Sequence, residues 1–226
     1  MSVSIVTVTR DLREPTLETC RLSVSKAMFA DTKHEVIHCP QSSSFNEIRY
    51  KTMRLDEFTA VVDDDDTITE DALKLCVAAM QMYDADIVFT DETQRNITTG
   101  QTFDSRRGRR EYSEVQVSPQ AIHHLVLIRS SKIDPYALEL AQRFGVGIDW
   151  LIHASVALTG KAIHIAKPCY TWNRHRNQHS TAIATTFNEH FPEMRKAIKE
   201  RWNTNVGRIP QADIQELEAF IKEKNW

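Results

Sequence analysis

Glycine is scarce in this chain, with six in 226 residues. Neither GxxxxGK[ST] nor GxGxxG occurs, so the two common glycine-rich cradles for phosphate are excluded and a bound phosphate would need another source of positive charge. Long apolar runs are also missing. None approaches the roughly 18 residues of a membrane helix, and the opening MSVSIVTVTRD lacks the basic region and apolar stretch of a secretory signal. A cytoplasmic location is therefore expected, with no membrane contact. Cysteine is sparse: Cys20, Cys39, Cys76 and Cys169 are far apart, form no CxxC pair and fall among apolar residues, so they read as reduced core thiols. A net charge of -3 excludes a globally basic nucleic-acid binder and leaves local patches open.

What is present is one core's worth of apolar residues, 41% of the chain, with no change of composition to mark a second core and no internal repeat. The β-branched run Val3 to Thr9 predicts a buried strand, and Leu17, Cys20, Val24 and Met28 carry helical spacing. Strands at His34 to Cys39 and Phe58 to Val62, with a short helix between them, continue a β-α-β order. An α/β fold with a mostly parallel sheet flanked by helices follows. Thr67 with Glu70 matches a capping box for a helix ending near Tyr83. ADIVFTDE predicts a strand, Thr93 to Val117 a long polar excursion, and AIHHLVLIR a further strand. Two helices around GVGI and a strand interrupted by Pro168 come next. Helical patterns at Phe187 to Trp202 and Ala212 to Lys224 suggest a main α/β unit over 1–186 and a helical extension over 187–226, packed on the same domain.

Four consecutive aspartates, Asp63 to Asp66, close the strand FTAVV. Two unit charges ~4 Å apart repel by about 1 kcal/mol in water and by more at lower dielectric, so the cluster is costly unless a cation sits on it. Open α/β sheets bind ligands at the carboxyl ends of their strands, and carboxylates suit Mg²⁺ or Mn²⁺ carrying substrate phosphates. A solvated acidic turn capping the next helix is the alternative.

The order FTAVVDDDDTITEDALKLCVAAM, then DADIVFTDE, then GIDWLIHASVALTGKAIHIAKPCYTWNRHRNQHST resembles the family-two glycosyltransferases of the GT-A fold, over roughly Val3 to Ser180. The resemblance implies a metal-dependent, inverting transfer of a sugar from a nucleoside diphosphate to an acceptor hydroxyl. Asp63 and Asp65 match the DxD acids, with Asp64 and Asp66 an equally spaced pair. Asp65, Asp63 and His175 are the implied ligands of Mn²⁺ or Mg²⁺, and Thr9, Arg10, Asp11, Arg49, Asp63 and Asp64 the implied donor contacts. Asp149 matches the catalytic base. Each has a plainer reading: Asp149 as a helix N-cap, His175 as part of a basic turn, Arg49 as a helix-surface cation. Thr9-Arg10-Asp11 stands where members have P-x-Y-N, and Pro40 to Ser44 replaces the acidic turn that reads uracil, so the donor base stays open.

Acceptor contacts are expected from Asp91, Trp150 and the cluster Arg106, Arg107, Arg109 and Arg110, which suits the phosphates of an anionic polymer. DNA bearing a hydroxylated base, as glycosylated by some bacteriophage enzymes, is the leading expectation, with a solvated loop the plain alternative. The other readings are a glycosyltransferase acting on a surface-glycan precursor, a metal-dependent nucleotidyltransferase, and a non-enzymatic nucleotide-binding module.

Overall fold

Strand β1 (Val3–Thr9) is buried at every position, as its β-branched run requires, because its two edges and both faces are covered. It pairs in parallel with β2 (Thr32–His38) and with β3 (Phe58–Val61). A computed structural model describes residues 2–12, 15–29, 32–105, 111–175, 179–202 and 206–226. The predicted crossover helices are present as α1 (Pro15–Ala27) and α2 (Phe45–Thr52). Pro15 opens α1, where a missing N–H costs nothing, and Leu17, Cys20, Val24 and Ala27 are its buried stripe.

Beyond the aspartates the chain first makes a two-residue strand, β4 (Thr67–Ile68), and only then α3 (Ala72–Tyr83). The capping box expected from Thr67 and Glu70 does not form. Thr67 and Ile68 pair instead with Thr171 and Tyr170, and the N-cap position falls to Asp71, whose side chain bonds Thr69 and Lys167 rather than the helix.

Strand β5 (Ile87–Asn96) runs further than expected and turns into β6 (Thr102–Ser105), an antiparallel hairpin inside the predicted polar excursion. A short helix, α4 (Tyr112–Val115), follows. The next strand, β7 (Val126–Arg129), is shorter than AIHHLVLIR suggested and leaves His123 and His124 outside it. Helices α5 (Tyr136–Phe144) and α6 (Ile148–Ala157), the long strand β8 (Ala162–Arg174), α7 (His179–Arg201) and α8 (Ile214–Glu223) complete the chain. The division expected at 186/187 falls inside α7.

Among the described residues the sheet has eight strands in the order β2-β1-β3-β7-β5-β8-β4, with β6 on β5. It is mixed: β1, β2, β3, β5 and β8 run one way, and β4, β6 and β7 run against them. Its side chains alternate between two cores. Ile87 and Phe89 face α5 and α6, where Leu140, Leu151 and Trp202 are buried. Val88, Phe58 and Ala60 face α3, whose Leu73, Cys76 and Met80 are sealed by Leu217 of α8. All four cysteines are free and buried. Among the described residues no helix is long and apolar enough to cross a membrane.

Pro168 lies where the β5–β8 register slips, between Thr90 and Asp91 and again between Asp91 and Glu92. Proline cannot donate to the ladder, so a bulge is where it is tolerated in a paired strand. The slip brings the last third of β8, Tyr170 to Arg174, alongside the end of β5 and the start of β4.

Candidate active site

Four strand segments converge at one edge of the sheet: the carboxyl ends of β1, β3 and β5, and the entry to β7, which runs against them. Asp63 to Asp66 leave β3 here, as the sequence predicted.

Arg49 organises the centre. It lies on α2 and is only 2% exposed, not a helix-surface cation. Its Nη2 donates to Asp63 Oδ1, and its Nε lies 3.1 Å from Asp149 Oδ1. The second contact is an ion pair without hydrogen-bond geometry, since Nε and Nη1 are both buried without a hydrogen-bond partner. Burial alone would lower the guanidinium pKa, but Asp149 and Asp63 outweigh it and raise it. The same pairing acts on Asp63: burial would raise its pKa, yet Arg49 and then His124 hold it at about 2.

The four aspartates thus have different surroundings. Asp64 is bonded by the Thr9 side chain and is pushed up, first by burial and then by Asp65 and Asp63. Asp65 Oδ2 sits 2.7 Å from His175 Nε2, and burial and Asp63 raise its pKa against the pull of His175. Asp66 is buried and committed to β8: Tyr170 Oη donates to Oδ2 at 2.7 Å and the Asn173 backbone N–H donates to Oδ1 at 2.7 Å. Burial, Asp63 and Asp65 raise its pKa well above the usual carboxylate range.

A folded-state carboxyl pKa above the unfolded value of 3.8 means the folded state holds the extra proton, so this group lowers stability as pH rises. Asp66→Asn keeps an acceptor for Asn173, turns the bond to Tyr170 round so that the amide donates to Oη, and removes the charge. The variant without added metal is expected to be more stable than wild type at pH 7 by about 1 kcal/mol, the scale of one buried polar contact, with the gap opening above about pH 4. Equal or lower stability in urea melts across that range would refute this role for Asp66.

Asp149 stands in the first turn of α6, but the N-cap is Gly147, at φ 82°. The cap reading of Asp149 is therefore corrected. Gly147 is needed for its left-handed backbone, and a Cβ there would also lie 2.3 Å from Met194 Cε, which would have to shift. Gly147→Ala is expected to destabilise by about 1–3 kcal/mol, a fall in Tm of roughly 2–12 °C for a chain of this size; an unchanged melting curve would contradict it.

Beside Asp149 opens a cavity of about 310 Å³, walled by Phe45, Trp150 and Phe187 and by His123, His124 and His153. Trp150 is also fixed from behind, with Nε1 donating to Val115 O at 2.9 Å. Burial pushes His153 and His124 down to about 4, so both are neutral at pH 7. Hence His124 Nε2, 3.6 Å from Asp63 Oδ2, is not an ionic partner there.

Other expected residues lie elsewhere. Arg10 spends its guanidinium on the carbonyls of Cys39, Pro40 and Ser43 and so holds the loop after β2. Thr9 does reach the cluster through Asp64, and its Oγ1 also bonds the Asp11 backbone. Asp91 is buried with Oδ1 3.0 Å from His164 Nε2, and it is not among the residues lining the cavity. The acid that faces the cavity's histidines is its neighbour Glu92, bonded to His123 Nδ1. Arg106, Arg107, Arg109 and Arg110 lie outside the described residues.

Among the described residues, no group of three or more His, Cys, Asp or Glu side chains is assembled to hold a metal ion. Asp65 and His175 nevertheless fit two positions of one. Ligands cis on an octahedral ion at about 2.1 Å lie about 3 Å apart, near their 2.7 Å separation. Asp63, the third expected ligand, is engaged by Arg49 instead.

No family model and no curated protein matches the sequence. Solved structures of S. aureus TarS do match in three dimensions. The 1-349 fragment superposes with a TM-score of 0.61 at 13% identity, over 91% of this chain and 67% of that one. The chain has the fold of TarS. The same fragment in complex with UDP-GlcNAc gives 0.61 at 16% identity, covering 99% and 71%, and the longer TarS structure gives 0.61 at 13%, covering 99% and 42%. The α/β architecture expected from the sequence is the one observed.

His123, His124, Glu92 and Tyr170 were missed by the sequence reading. One signal was available for the histidines. The start of an antiparallel strand lies at the same edge as the ends of the strands beside it, so a His-His pair opening such a strand belongs to that edge.

Proposed function

We propose that the protein is a nucleotide-sugar-dependent, inverting glycosyltransferase. The observation that carries this reading is the chain Asp63–Arg49–Asp149, set beside the Asp65–His175 pair at the carboxyl edge of a fold shared with TarS, which has been solved with UDP-GlcNAc and with UDP. A nucleotidyltransferase would have no use for a carboxylate at the mouth of a separate cavity. Asp149 is in that place, half exposed and lining it.

In the proposed reaction Asp149 takes the proton of an acceptor hydroxyl as the oxygen bonds to the anomeric carbon. The bond from that carbon to the diphosphate breaks, and its electron pair leaves on the diphosphate oxygen. A single displacement inverts the centre. Arg49 fixes Asp149 and Asp63 relative to each other, so the base is oriented before substrate arrives. Asp65 and His175 would hold Mn²⁺ or Mg²⁺, which when bound neutralises charge on the diphosphate.

The donor is proposed to be a uridine diphosphate sugar, by analogy with the TarS complexes. A DNA acceptor rests only on the arginines at 106–110.

Differential scanning of the protein with UDP and UDP-GlcNAc, with and without Mn²⁺, tests the reading. Ligand at 100 times its Kd should stabilise by about 2.7 kcal/mol. No shift with any nucleotide or nucleotide sugar, and no release of UDP from UDP-GlcNAc, would leave the reading without support and favour a different ligand.

A further inference from the structure

The cavity beside Asp149 contains an oriented imidazole that the proposed reaction does not use. His123 lines it, with its side chain 20% exposed and its Nδ1 bonded at 2.5 Å to Oε2 of Glu92. Glu92 is itself 2% exposed, and its Oε1 accepts from Gln94 Nε2 at 3.1 Å. The ring of His123 is packed edge-on against Trp172 and His124, with centroids 5.3 and 4.1 Å away. An imidazole that donates Nδ1–H to a carboxyl oxygen presents Nε2 as an acceptor. A buried carboxyl group behind a histidine serves to fix the tautomer and orientation of the ring.

The remaining lining limits what such an acceptor can meet. The residues around the cavity include Phe45, Trp150 and Phe187, the amides of Asn46, Gln120 and Asn188, and one carboxylate, Asp149, but no lysine or arginine. That absence of lysine and arginine holds among the described residues, and the cavity's volume of about 310 Å³ is at the small end of small-molecule sites. A phosphate-bearing group entering here would meet Asp149, whose neighbouring cation Arg49 is buried behind it and already engaged by Asp63 and Asp149. An uncharged ring with several hydroxyls would meet aromatic faces, amides and two acceptors.

We propose that His123, oriented by Glu92, accepts a hydrogen bond from a second hydroxyl of an uncharged carbohydrate acceptor while Asp149 faces the reacting one. The proposal rests on the glycosyltransferase reading for the role of Asp149, and the cavity can be probed without it. His123 moves no proton in this scheme. It sets which hydroxyl lies against Asp149, and so selects polyols over acceptors with one hydroxyl.

The probe is p-nitrophenyl β-D-glucopyranoside, titrated by saturation-transfer NMR against the full chain, with and without UDP. Glucose 6-phosphate and an oligonucleotide carrying hydroxymethylcytosine are titrated alongside. Wild type is expected to bind the glucoside saturably and glucose 6-phosphate at least about tenfold more weakly, the effect of about 1.4 kcal/mol. Glu92→Gln keeps an oxygen for Gln94 but donates an N–H to Nδ1, so Nε2 becomes a donor. A sugar hydroxyl can accept from that N–H as well as donate, so this variant reverses the bond and tests only the tautomer. His123→Ala, at the partly exposed ring, removes the bond and should lose about tenfold in glucoside affinity, while UDP affinity stays within error.

Glucoside binding that is absent, or unchanged in His123→Ala, overturns the proposal. So does a preference for glucose 6-phosphate or for the oligonucleotide. Failure of UDP to bind while the glucoside binds through His123 would instead count against the glycosyltransferase reading and leave the carbohydrate site standing.

Discussion

Replacing Arg49 with methionine is expected to destabilise the protein by about 3–5 kcal/mol, the effect of breaking a buried ion pair from one side. For a chain of this size that is a fall in Tm of roughly 6–20 °C. Methionine keeps most of the apolar volume, so the loss reports charge more than packing. Asp63 would be left at the edge of the core without its cation, close to Asp65 and Asp66. The pH dependence has a definite sign. Asp63 has its folded pKa lowered to about 2 from 3.8, so wild type gains stability from it above pH 3.8 and loses that gain as pH falls from 3.8 toward 2. Arg49→Met should lack this acid-side loss. The double variant Arg49→Met/Asp63→Asn should recover much of the stability, because a buried pair replaced on both sides is often neutral. Urea denaturation of the four proteins of this cycle from pH 2.5 to 7 checks it, and a single variant as stable as wild type would mean that Arg49 is not paired as described.

The periodicity of the sequence carried the sheet and helix assignments, because each long element buries a face whose spacing is visible in one dimension. Helix α3, with Leu73, Cys76, Val77 and Met80 buried, is of this kind. Strand β4 was not legible, since two residues have no period. Its effect was large, however: pairing Thr67 and Ile68 with β8 delays the helix and brings Tyr170 and Asn173 onto Asp66. The choice between Asp91 and Glu92 was lost for a related reason. Neighbouring residues on a strand face opposite sides, so a one-residue error moves a side chain to the other face, and the register slip opposite Pro168 occurs at this pair.

Within the site, the resemblance gave identities that spacing could not. Arg49 is 14 residues from Asp63 and 100 from Asp149 in sequence, and nothing in local composition says that it bridges them. The register of the acidic run is a contrasting case. Sequence left Asp63 with Asp65 and Asp64 with Asp66 equal, and burial separates them: Asp66 is consumed by Tyr170 and Asn173, whereas Asp65 opens toward His175. The surroundings of the four side chains therefore set Asp65 apart from Asp66, while Asp63 is engaged by Arg49.

Asp149→Asn is expected to lower the turnover of a nucleotide sugar to any hydroxyl acceptor by about 10²–10⁴-fold, the range contributed by a positioned general base, with UDP affinity unchanged. The substitution is clean for three reasons. The N-cap of α6 is Gly147, so no helix-capping bond is lost. The Asp149 side chain is 43% exposed, so the loss of its ion pair with Arg49 should cost less than about 1 kcal/mol. Arg49 keeps its hydrogen bond to Asp63, which holds α2 against the strand edge. An amide is isosteric with the carboxylate but has no basic lone pair at neutral pH, so it can still contact the acceptor yet cannot take its proton. The variant should therefore separate binding from chemistry, with turnover falling and the KM for the donor holding. Measured UDP release from UDP-GlcNAc, with water or p-nitrophenyl glucoside as acceptor, decides the point. Turnover within threefold of wild type would remove Asp149 from the reaction and shift the search for the base to the histidines that share its cavity.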